Sequence, residues 1–196
     1  MSWIILLLLL LVAAVVTSLY NRLVTARNAY RNAFAQIDVQ LTRRHDLVPN
    51  LVEVAKRYLQ HERETLEAVI AARAAAVDGL RNAVANVSDP AALAKLSSVE
   101  NTLAGAMGRL LAVAEAYPDL KANQTMAQLT EEVTSTENKV AFARQAFNDQ
   151  VMTYNNARES FPGNLIAGYF RFTAAQLLQI ESATMRDAPK ISFDKA

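Results

Sequence analysis

A chain of 196 residues with 5 Gly, 5 Pro and no Cys is sized for a single domain and strongly favours helix. Without Cys, disulfides and thiol nucleophiles are excluded. Twenty Lys and Arg against 19 Asp and Glu leave a formal net charge of +1, which lacks the electrostatic footprint of a nucleic-acid binder.

Residues 1–20, MSWIILLLLLLVAAVVTSLY, carry no charged side chain, and the first charge is Arg22. Trp3 and Tyr20 bracket this stretch and lie about 26 Å apart on a helix, close to the thickness of a hydrocarbon core. Aromatic residues at both ends suit the two interfaces of a bilayer. A cleaved signal peptide is the rival reading, but it would open on basic residues, and this segment opens Met-Ser-Trp. A transmembrane anchor is therefore expected. Arg22, Arg27 and Arg31 follow the span with no acid before Asp38. That bias places the rest of the chain in the cytosol and the N-terminus outside, in a single pass.

Downstream, prolines punctuate the helical pattern. A first helix runs from the anchor to about Leu47, where RRHDLVPNLV breaks or bends the chain and Asp46 could cap a successor. A second helix runs from about Val48 to Ala85. The alternative treats Pro49 as a kink within one very long helix. NVSDP then supplies Asp89 as a cap and Pro90 as a first helical residue, opening a third helix to about Tyr117. Gly105 and Gly108 on that helix would permit close helix approach. YPDLKAN turns the chain, a fourth helix covers about Gln124 to Phe161, and FPGN ends it. No stretch alternates with period two, so no sheet is expected. Short connections between long helices imply an all-α fold: an antiparallel up-and-down four-helix bundle over 21–162, continuing from the anchor. Residues 163–196 form an amphipathic membrane-proximal segment and an extended tail. Tyr169, Phe170 and Phe172 would join Trp3 and Tyr20 at the membrane interface, or else cap the end of the bundle as ordinary core.

The apolar stripes contain charges. On the first helix Leu23, Tyr30, Phe34, Ile37 and Leu41 share a seam with Arg27, and the fourth helix repeats part of it, with NKVAFARQAF matching NRLVTARNAY. Counting upward from the membrane side groups Arg44 with Glu62 and Glu137, and below them Arg73 and Arg144 with Glu100. Such layers stabilise little but can fix register, because a slipped packing strands a charge. Two other readings stand beside this one: heads reaching water at the seam's margin, and a ligand or ion site. Arg43, Arg44 and His45 form a basic corner, read either as an ordinary solvated turn or as a candidate partner surface. His45 and His61, 16 residues apart, fall on different faces of a straight helix, and no metal-binding spacing is present. Nor is there a phosphate loop or nucleophile elbow. No cofactor and no enzymatic activity are expected.

YNRLVTARNAYRNAFAQIDVQLTRRHDLVPNLVEVAKRYLQHERETLEAVIAAR, AYPDLKAN, ENKVAFARQAFNDQVMTYNNARESFPGNLIAGYF and the closing APKISF together resemble the LemA family, over nearly the whole chain. Arg-Arg-His-Asp-Leu-x-Pro-Asn-Leu-Val is the most specific stretch. The resemblance implies a bacterial, membrane-anchored four-helix bundle with no established activity and no agreed catalytic residues. A scaffold or adaptor is the expected role, with the lipid bilayer, membrane proteins still to be identified and a second copy of the chain as partners. The alternative is a lipid-binding or membrane-shaping protein using the anchor and residues 161–172.

Overall fold

The computed structural model describes residues 2–180. Those residues are helical in six segments: α1 (Ser2–Lys56), α2 (Arg63–Ala85), α3 (Pro90–Glu115), α4 (Pro118–Lys121), α5 (Gln124–Glu159) and α6 (Gly163–Tyr169). Among the described residues there is no strand. The RDAPKISFDKA tail lies outside them.

α1 is one unbroken helix of 55 residues. Its most apolar stretch has a mean hydropathy of 2.7, is long enough to cross a membrane, and is not buried against the rest of the chain. Of the two expectations, an end near Leu47 is not found, and Pro49 sits inside one very long helix. A proline has no N–H to give the carbonyl four residues back, here that of His45, and an orphaned carbonyl normally weakens a helix there. In this fold the Arg73 Nε–H of α2 donates to the His45 carbonyl oxygen at 2.9 Å and fills the gap. The chain reverses only at 57–62, so α2 begins at Arg63 and Asp46 caps nothing. Both other long helices start with side-chain caps: Asp89 accepts from the Ala91 N–H and Asn123 from the Met126 N–H.

Tyr30 bonds Ser88 at 3.0 Å while Arg73 bonds His45, so α2 runs opposite to α1. Phe34 of α1 meets Phe147 of α5, and Arg44 faces Glu137, so α5 also runs opposite to α1. α3 returns along α2, and Gly79 is the close approach between them. A Cβ there would lie 2.6 Å from Val99 Cγ2. Gly105 and Gly108, expected to serve this purpose, have no neighbour at such range.

After α6 the chain does not lie flat against the end of the helices. It turns at Arg171, the one non-glycine residue with positive φ (56°) among those described, and climbs back along α5 as an extended strap over 172–180. Phe172, Ala175, Leu178 and Ile180 face inward. Two asparagines hold the strap. Asn155 donates to the Ala175 carbonyl at 2.8 Å and accepts from its N–H at 3.0 Å; Asn148 does the same with Leu178 at 3.1 and 2.9 Å. Seven residues of helix and three of extended chain both span about 10 Å, so the two clamps stay in step. Ser97 of α3 ties the strap's far end through the Gln179 carbonyl.

The buried apolar residues form two clusters. One joins Tyr30, Phe34, Ile37 and Leu41 to Phe147, Val151, Tyr154 and the strap. The other joins Leu51, Ala55, Leu59 and Val69 to Leu103, Met107, Leu110 and Leu120.

Candidate functional site

Between the two clusters lies a layer of charge. Glu100 of α3 is fully buried, and Arg44 and His45 of α1 are 3% and 2% exposed. Adjacent residues on a helix point about 100° apart, yet Glu100 receives both. Arg44 pairs with one carboxylate oxygen, and His45 Nε2 lies 2.8 Å from the other. A carboxylate only accepts, so the hydrogen sits on Nε2 and His45 donates. Arg44 also approaches Glu137 of α5 at 3.9 Å. Burial pushes the Glu137 carboxyl above its ordinary range, and the nearby Arg44 guanidinium opposes that only in part. Together with the Arg73 bond to the His45 carbonyl, all four long helices contribute to one polar level.

The expected groupings are thus partly redrawn. Arg44 and Glu137 do meet, but Glu100 belongs with them rather than lower down. The α2–α3 turn explains the difference: Ser88 sits beside Tyr30, about 15 Å above Tyr20, so α3 starts well above the membrane-side end. Glu62, placed in the same layer by counting, lies instead in the 57–62 turn and accepts from the Tyr117 hydroxyl at 3.3 Å. Arg73 takes a backbone carbonyl rather than a carboxylate. Arg144 is half-buried and forms no ion pair among the described residues. The proposed partner corner dissolves as well. Arg43 is exposed, but Arg44 and His45 are interior, and α1 continues past them to Lys56.

Arg27, the charge in the first seam, is neither paired with an acid nor fully buried. Its guanidinium lies over the Phe172 ring, 5.1 Å from the centroid, a cation–π arrangement. Phe172 is therefore inside, 8% exposed, in the core position that was one of its two expected placements and not at a membrane interface. Its ring also meets Tyr20 at 5.7 Å, and Phe170 meets Tyr20 at 4.8 Å. Phe161, Leu165, Tyr169 and Phe170 stay exposed on the same end. Nearby, Tyr154 donates to the Thr173 carbonyl at 2.7 Å. Burial, reinforced by Tyr30, raises its phenol above the usual range, while Arg158, Arg27 and Arg31 pull it back.

Within the central layer Glu100 is closed to solvent and both its carboxylate oxygens are engaged, one by Arg44 and one by His45, while Glu137 stays partly exposed. Among the described residues, no group of three or more His, Asp or Glu converges as a metal site would need. Sequence reasoning did not find the Asn148 and Asn155 clamps. Two asparagines seven residues apart on a helix were the only signal, and their partner is plain backbone.

The LemA family model matches residues 33–193. Two relatives, magnetosome proteins MamQ 2 and MamQ 1 of Paramagnetospirillum magneticum, are each 23% identical over 179 residues, covering 84% of this chain and 66% of theirs. Magnetosome protein MamQ of Magnetospirillum gryphiswaldense is 24% identical over 163 residues, covering 76% of this chain and 60% of its own. The chain thus spans slightly less than two thirds of these curated relatives.

Proposed function

The chain belongs to the LemA family, and we propose that it acts without chemistry, as a membrane-anchored scaffold or adaptor. In this reading the packed parts of α1, α2, α3 and α5 work as an up-and-down four-helix bundle. The anchor holds the bundle at a bacterial inner membrane on the cytosolic side, which raises its effective concentration near membrane partners. One observation carries the proposal: a single helix joins the bare apolar stretch to the packed body without a break. Relatives named as magnetosome proteins also favour membrane association. The charges that could have served catalysis are occupied in holding helices together.

A photo-crosslinking residue at exposed Arg43 or Ile70, followed by mass spectrometry of native membranes, tests the adaptor role. Discrete adducts to membrane proteins, or to a second copy, are expected. Adducts only to lipid at every surface position tried would remove it. A second reading, lipid binding or membrane shaping through residues 161–172, is favoured by the exposed Phe161, Leu165 and Tyr169 beside the end of the apolar stretch.

A further inference from the structure

At the end where α1 leaves its apolar stretch, two kinds of side chain are laid out together. Phe161, Leu165 and Tyr169 are 80%, 62% and 81% exposed, on or just before the short α6. Phe170 packs on Tyr20, which fixes this group beside the point where α1 would emerge from a bilayer. Around it stand Arg22 and Arg27 of α1, Arg158 of α5, and Arg171 at the turn into the strap. Residues 20–30 and 153–172 hold these four arginines and a single acid, Glu159. Glu159 is paired with Arg158, and Arg31 lies higher, with Ser88 and Asp89 at the α2–α3 turn.

The arginines are not spread at random in height. On α1, Arg22 stands about 3 Å and Arg27 about 10 Å beyond Tyr20, the depth of a headgroup layer. Arg27 is held there by the Phe172 ring beneath it, and its Nε has no hydrogen-bond partner. Arg22 and Arg171 are exposed. A protein that only needed a solvated end would have no reason to combine four bare apolar side chains with a one-signed collar.

We propose that this end is a docking surface for an acidic bilayer. Phe161, Leu165, Tyr169 and Phe170 enter the interface, and Arg22, Arg27 and Arg171 bind the phosphates of anionic lipids around the anchor. The occupant is the leaflet from which α1 emerges. The anchor then holds the chain in the membrane, and the collar decides how it stands and which lipids gather at its foot. The inference rests on the anchoring part of the function proposed above and adds lipid selectivity to it.

The test uses the full chain with Trp3→Phe and Tyr169→Trp, so that one indole reports this surface. It is reconstituted into vesicles of phosphatidylcholine alone or with about a third phosphatidylglycerol. Flotation with both compositions reports the anchor. With the acidic lipid, Trp at 169 should shift to the blue and be quenched by brominated chains at least twofold more than in phosphatidylcholine. Arg22→Gln combined with Arg171→Asn should abolish that difference and leave flotation and helix content unchanged; asparagine tolerates the left-handed backbone at 171. Equal quenching in both lipids, or no effect of the two substitutions, overturns the proposal and leaves the anchor standing. Failure to float with either composition removes the anchor, and this inference with it.

Discussion

The two apolar clusters are built from different materials. The membrane-side cluster buries Tyr30, Phe34, Phe147, Tyr154 and Phe172, with ring centroids 5.3–6.2 Å apart among the first four. The outer cluster buries no aromatic residue: it is Leu, Val, Ala and Met. Tyr58 and Tyr117 reach only its edge, where they bond Asn123 and Glu62. The membrane-side half is further closed by the strap and its two asparagine clamps. The outer half is flanked by grooves of about 810 and 780 Å³, one between α1 and α2 and one between α3 and α5. The membrane-side half is flanked by smaller ones of about 660 and 490 Å³, at the α2–α3 turn and between α3 and the strap. Large rings with specific partners make one half, and small aliphatic side chains make the other. The polar layer lies between them.

The sharpest break is at that layer. Glu100→Ala leaves Arg44 buried and unpaired, and should cost about 3–5 kcal/mol in chemical denaturation. Arg44→Met with Glu100→Leu should recover most of that loss, but with a changed NMR fingerprint on both sides if the layer sets register. Next is the Pro49 bridge. Arg73→Met orphans the His45 carbonyl and should cost about 1–3 kcal/mol. In a Pro49→Ala background, where a backbone N–H is restored, the same change should cost much less; equal costs in both backgrounds would refute the bridge. Asn155→Ala removes both bonds to Ala175 and should cost about 1–2 kcal/mol. Its hydrogen exchange should rise in 172–180 and the membrane-side half, and stay unchanged in α2 residues 63–72. The smallest effect is Glu137→Gln. Because burial raises the folded-state pKa of Glu137, stability present at acid pH is lost as pH rises through that value. The glutamine variant should melt with a flatter pH profile above the ordinary carboxylate value of 4.5.

Much of the fold was legible because local signals acted alone. Asp89 with Pro90 marked the start of α3, and the Leu23 to Leu41 seam is buried as its spacing required. Misreadings arose where a distant group altered a local rule. Pro49 left an end and a continuous long helix both open, and the sequence could not choose because the missing donor comes from an arginine 24 residues later. Residue counting put Glu100 too low because the height of a turn depends on what it packs against, here Tyr30. Phe172 was left open between interface and core, since aromatic rings near a bilayer suit either side of the boundary. The reversal at Arg171 turns it inward. Arg44 and His45 looked like a surface if the first helix ended near Leu47, whereas α1 runs on to Lys56.

That continuity gives α1 the mechanics of a lever. From Tyr20 to Lys56 the helix extends about 54 Å beyond its apolar stretch, and rotating such a rod by about 10° would carry its tip about 9 Å sideways. Any tilt of the apolar stretch is therefore magnified at the far extremity. Part of the stiffness at Pro49 is lent by α2, through the Arg73 bond to the carbonyl that the proline leaves open.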